Sequence, residues 1–114
     1  MPDVMMSDRR VSPRYPLMLI AEVTDLAASP ALTGRTSDVS RTGCYIDTLN
    51  PLPSGSEVHV RLQNEKEFFQ VNARIMYVSP KLGMGVMFAA DIPAEQLAIL
   101  DGWLASAAAG KPVR

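Results

Sequence analysis

Three arginines, Arg9, Arg10 and Arg14, fall within six positions of one another, and downstream come Asp38, Ser40 and Gly43 in the pattern DxSxxG. The guanidinium group is planar, stays charged, and donates in a fork that matches phosphate oxygens or the edge of a guanine base. A carboxylate such as Asp38 accepts the N–H donors that guanine offers. A serine hydroxyl donates to phosphate, and a glycine lets the backbone turn sharply or come close to a ligand. Each cluster also has a plain alternative: the arginines as a solvated basic tail, and Asp38 with Ser40 as a turn bonded to its own backbone. Taken singly, each cluster fits its plain alternative better than a site; as a site, the two would make an anion binder with a purine reader beside it.

Nothing else in the chain builds a reaction centre. His59 alternates with apolar residues on a polar strand face, which suits a solvated histidine. Cys44 shares the apolar alternation of "CYI" with Ile46 and reads as a buried small hydrophobe. One Cys and one His cannot make a His/Cys metal site, and "GMGVMF" lacks the third glycine and following helix of a dinucleotide fingerprint. No catalytic residue, metal or cofactor is expected. The 11 basic and 12 acidic residues nearly cancel, so no global field draws the chain to a nucleic-acid polymer or to anionic lipid. Eight of the basic residues are Arg and three are Lys. The single cysteine, the absence of a signal-like apolar run and the absence of a membrane span suggest a cytoplasmic protein with no membrane insertion.

The 114 residues, 47% of them hydrophobic and 20% charged, suit one globular domain. Residues 1–8 read as a flexible tail, 9–110 as the domain and 111–114 as a second tail. Strands are expected at about 17–24, 31–40, 43–48, 56–63, 67–79 and 82–90. The first two pair as a hairpin. In "EVHVRL", Val58, Val60 and Leu62 share one face; in "FQVNARIMYV", Phe69, Val71, Ala73, Ile75 and Tyr77 do. Met76 and Val78 make the second face apolar near the end of that run, so something should cover it. Gly83 and Gly85 suggest a bend or a close backbone approach. A helix over about 93–109 starts at Pro93, aligns Leu97, Leu100, Leu104 and Ala108, and stops at Gly110. Trp103 should anchor it. Six short strands and a helix make an all-β fold, a small antiparallel barrel or strongly curved sheet, with the helix plugging one end or covering the Met76–Val78 patch.

Arg10-Val-Ser-Pro-Arg14 and Asp38-Val-Ser40-Arg-Thr-Gly43, in this order and separated by one hairpin, resemble the two signatures of the PilZ domain family, RxxxR and [D/N]xSxxG. The resemblance spans nearly the whole chain from Arg9 onward, and both motifs are intact. It implies a six-stranded antiparallel split barrel with a C-terminal helix that receives the bacterial second messenger cyclic di-GMP on its outer surface. Arg10 and Arg14 would hold phosphates and guanine edges, Asp38 and Ser40 would meet a base and a nearby phosphate, and Gly43 would permit the turn. An arginine just before RxxxR, here Arg9, goes in this family with a stacked pair of ligands, implying two per chain. The implied role is an adaptor that orders its arginine loop on binding and signals to a separate effector protein, in motility, pilus or exopolysaccharide control. The alternative within the family is a protein-interaction module indifferent to nucleotide.

Overall fold

In the computed structural model, which describes residues 13–27 and 31–110, short alternating runs form seven strands and one helix. They are β1 (Tyr15–Pro16), β2 (Ile20–Asp25), β3 (Ala31–Val39), β4 (Gly43–Asp47), β5 (Glu57–Gln63), β6 (Phe68–Ser79), β7 (Gly83–Phe88) and α1 (Ala94–Ala108). The sheet runs β3-β2-β5-β6-β7-β4, and β4 pairs back onto β3, every pairing antiparallel. Six strands therefore close into a barrel, and β1 adds outside it against β3. Closure leaves fewer unpaired strand edges to be protected.

The period of two sets the inner face. Val58, Val60 and Leu62 of β5 point inward with Phe69, Val71, Ala73 and Ile75 of β6, and all are buried. Across the hairpin, His59 sits on the outer face, its Nδ1 3.1 Å from Asn72 Oδ1 and its Nε2 3.3 Å from Gln70 Oε1. Inside, Phe69 and Phe88 meet edge to face at 5.2 Å.

The alternation of β6 does not run to its end. Its pairing with β7 passes from Ile75↔Val86 to Tyr77↔Gly85, so Met76 is an extra residue on β6. Such a bulge reverses the phase of everything beyond it. Tyr77, expected on the inner face with Ile75, is instead 48% exposed, and Met76 is 46% exposed. The helix leaves Met76 uncovered. It docks at the opposite end of β6, where Gln96 Oε1 accepts the Gln70 N–H at 2.8 Å, and it also packs on β1.

Pro93 caps α1, its carbonyl accepting the N–H of Leu97 at 2.9 Å. The helix stops where Gly110 takes φ +74°, a left-handed conformation that favours glycine. Leu100, Trp103 and Leu104 are buried in the common core, whereas Ala108, expected on the same face, is exposed. No helix among the described residues is long and apolar enough to cross a membrane.

Cys44 is fully buried, and desolvation, with the Asp38 carboxylate second and the Arg14 charge opposing, pushes its thiol up to about 12. An acid whose folded pKa is raised stays protonated in the fold while the unfolded chain ionises. Between an unfolded value near 9 and about 12, stability should therefore fall as pH rises, by up to about 1.4 kcal/mol per pH unit. Urea titrations at pH 8 and pH 10 should show this loss. Cys44→Val, which keeps an apolar group there, should abolish the part due to the thiol.

Candidate functional site

Two irregularities in β3 aim the motif residues. The first lies against β4, where pairing passes from Thr36↔Ile46 to Asp38↔Tyr45, so Ser37 is an extra residue. Strict alternation would send Asp38 inward in phase with Thr36, which is buried. With the bulge, Val39 points in and Asp38 lies on the outer wall, half-buried. The second lies on the other edge of β3, where β1 and β2 follow one another with a break at Leu17–Leu19. Thr36 bridges this break. Its hydroxyl donates to the Leu17 carbonyl at 2.6 Å and accepts the Leu19 N–H at 2.9 Å, while its own N–H reaches the Leu19 carbonyl at 2.9 Å. β1 is thereby held along β3 with Pro16 opposite Asp38.

Arg14, just before β1, consequently meets Asp38, 24 residues away: its guanidinium donates to the Asp38 carboxylate. Both side chains keep solvent access, 48% for Arg14 and 35% for Asp38. An exposed pair of this kind contributes only about 0–1 kcal/mol to stability. Its consequence is positional, since a ligand can exchange partners with both groups at small cost.

Ser40 and Gly43 face a different way. Ser40 is buried, and its hydroxyl oxygen accepts the N–H groups of Thr42 and Gly43, each at 3.2 Å. The Ser40 N–H in turn donates to the Gly43 carbonyl at 2.8 Å. The serine thus closes the β3–β4 turn, as the plain reading of the motif allowed. Gly43 packs against β7, where an added Cβ would lie 2.1 Å from the Val86 carbonyl oxygen. Arg9 and Arg10 lie outside the described residues.

Arg41, the fourth residue of the motif, ties the turn to the helix. Its Nε and Nη2 donate to the two carboxylate oxygens of Asp101 at 2.9 and 3.2 Å. Those hydrogen bonds, followed by the charge of Asp101, raise the Arg41 pKa above its ordinary value. Pro13, Tyr15, Arg41, Asp101 and Leu104 line one crevice, so the segment carrying Arg14, the motif turn and α1 meet there. A larger groove of about 680 Å³ lies between β6, β7 and the start of α1, lined by Thr42, Met87, Ile92 and Leu97 but by neither Arg14 nor Asp38. The sequence reading missed Thr36 and Asp101, and it placed Arg41 in the motif cluster without giving it a role. The inward phase of Thr36 with Gly34 and Leu32 was the available signal; nothing local joins Arg41 to Asp101.

Among the described residues no group of His, Cys, Asp and Glu could hold a metal ion. The arrangement is suited to binding: a carboxylate and a guanidinium side by side on an open wall, set on a turn whose own polar groups are satisfied. The PilZ domain family model matches residues 8–106, a span that holds both motifs. The chain belongs to the PilZ domain family. Solved PilZ structures share its fold. The PilZ domain of CeSA from a cellulose-synthesizing bacterium is 23% identical, with TM-score 0.65, over 82% of this chain and 97% of that one. The PilZ domain of YcgR from Escherichia coli, solved with c-di-GMP, is 17% identical with TM-score 0.73, over 90% and 94%. The Bacillus subtilis inhibitor of motility MotI/DgrA is 16% identical with TM-score 0.68, over 86% of this chain and 51% of its own length. No curated protein sequence matches the chain.

Proposed function

We propose that this PilZ domain is a receptor for cyclic di-GMP that acts as an adaptor. The observation that carries the reading is the meeting of Arg14, last residue of RxxxR, with Asp38, first residue of DxSxxG, on the outer wall of the barrel. A guanine edge offers donors to Asp38, and a phosphate offers acceptors to Arg14, so the ligand replaces their mutual ion pair with two charge-assisted contacts. Ser40 and Gly43 serve the site by shaping the turn beneath it. Arg9 and Arg10 precede this pair in sequence and supply further guanidinium groups, with Arg9 setting a stoichiometry of two ligands per chain.

Ordering of the arginine segment makes the signal. That segment adjoins Arg41, Asp101 and Leu104 through Pro13 and Tyr15, so a change in its position alters the surface shared with α1. A separate effector protein in a bacterial cytoplasm reads that surface, in motility, pilus or exopolysaccharide control. The YcgR neighbour holding c-di-GMP and the neighbour named an inhibitor of motility are consistent with this assignment.

Calorimetric titration with cyclic di-GMP tests the reading. Wild type should bind with micromolar or tighter affinity at two ligands per chain, and Arg9→Ala should reduce this to one. Arg14→Ala and Asp38→Ala should each weaken binding about 30-fold or more, the usual loss when one partner of a charged contact is removed. Absence of binding by wild type would leave a nucleotide-independent interaction module as the correct description, whereas undiminished binding by both variants would mean that the ligand sits away from Arg14 and Asp38.

A further inference from the structure

The outer face of β3, β2, β5 and β6 carries a patch that neither motif uses. Across it Arg35 lies opposite Ile20, Ile20 opposite Gln63, and Gln63 opposite Phe68. One step along the strands, Glu22 lies opposite Arg61. Met18, Ile20 and Phe68 are 67%, 50% and 41% exposed. Apolar side chains gathered with arginine have the composition of an interface centre rather than of a solvated wall.

The charges of this patch find no partner within the chain. Among the described residues Arg14, Arg41 and Arg74 each hold a carboxylate, whereas Arg35 and Arg61 hold none. Arg35 has Asp47 opposite it on β4, yet donates to the Met18 sulfur at 3.9 Å. Arg61 faces Glu22 across the β2–β5 ladder, but its guanidinium lies over the Phe68 ring at 4.1 Å. Glu22 is left exposed.

We infer that this face pairs with the same face of a second copy of the chain. A face-to-face dimer needs a patch that complements itself about a two-fold axis lying in the contact plane. An axis run along the strands between β2 and β5 sets each β2 residue over the β5 residue of its own row, and each β3 residue over β6. Glu22 of each copy then meets Arg61 of the other, Ile20 meets Gln63, and Arg35 meets Phe68. Symmetry makes two ion pairs and two cation–π contacts around an apolar centre. The inference goes beyond the cyclic di-GMP reading and does not rest on it. Strand spacing and rise give the face roughly 300 Å² per copy, against about 800 Å² in a durable complex. The dimer should therefore be weak, with a dissociation constant of about 0.1–1 mM. Such a contact closes where copies are held near one another.

Sedimentation of the full chain at rising concentration tests this, with melting curves for every variant. Wild type should pass from monomer toward dimer, and added salt should oppose the change. Glu22→Arg and Arg61→Glu each set like charges against one another across the axis, and each should weaken self-association about 10-fold or more. Ile20→Lys, at an exposed position in the centre of the patch, should weaken it likewise without disturbing the core. An equal mixture of Glu22→Arg and Arg61→Glu chains restores both ion pairs with the charges exchanged, so it should associate like wild type. Cyclic di-GMP titration of Glu22→Arg should match wild type, which keeps the two readings separable. Monomeric wild type at every concentration would overturn the dimer and leave the face to a different protein. Self-association unchanged in all three variants, or a mixture no better than its components, would overturn it equally.

Discussion

Gly43→Ala is expected to destabilise the barrel by about 3 kcal/mol with no ligand present, at the upper end of ordinary overpacking. The added methyl would sit 2.1 Å from the Val86 carbonyl oxygen, with Val86 C at 3.2 Å and Met87 Cα at 3.3 Å. All three are backbone atoms, so no side-chain rotamer can relieve the contact. Gly43 pairs with Met87, and the neighbouring Thr42 carbonyl accepts the Phe88 N–H at 2.8 Å. Moving β7 away would loosen the β4–β7 seam at the place where the motif turn begins. Urea unfolding of apo protein measures the effect. The family resemblance gave this glycine a role in bringing motif residues close to ligand; the fold requires it for strand packing first. A variant with wild-type stability that had lost only ligand binding would reverse that order.

The strands were legible wherever the barrel has one dry face and one wet face. Val58, Val60 and Leu62 against His59 and Arg61 state their inward phase without reference to anything distant. The six-stranded barrel with its helix follows from that alternation and from the motif resemblance. What local pattern could not state is where alternation fails. Asp38 faces outward only because Ser37 is an extra residue in β3 relative to β4. Tyr77 faces outward only because Met76 is extra in β6 relative to β7. A bulge is a property of two strands in register, and a single strand's residues do not record it. The same limit hid Thr36, whose hydroxyl completes hydrogen bonds between segments 17 and 19 residues away. Gly83 and Gly85 did signal a close approach. The residues that approach, Tyr45 at Gly83 and Tyr77 at Gly85, became identifiable only once β4, β7 and β6 were in register. The ionic site was the opposite case, since Arg14 and Asp38 belong to one recognisable pair of motifs and do meet.

Trp103→Ala should cost about 3–5 kcal/mol, the usual range for emptying a buried tryptophan site. Trp103 is 3% exposed and lies with Leu100 and Leu104 in the core beneath α1. Two effects oppose each other in the wild-type residue. Its ring fills volume that nothing else on the helix can fill, but its indole N–H is buried with no partner among the described residues. An unsatisfied buried donor costs about 1–3 kcal/mol, so Trp103→Phe loses some packing and relieves that cost. The phenylalanine variant should therefore remain within about 1.5 kcal/mol of wild type, as size-similar apolar exchanges do. Urea midpoints for the two variants decide it, and a Phe variant as weak as the Ala variant would mean that the indole has a partner. The change should also reach the surface proposed to hold ligand. Asp101, which holds Arg41 of the motif turn, and Leu104, which lines the crevice with Pro13 and Tyr15, stand two positions before and one position after Trp103 on the same helix. If α1 loosens, Arg41 and the segment carrying Arg14 lose a common support, so Trp103→Ala should weaken cyclic di-GMP binding while Trp103→Phe leaves it near wild type.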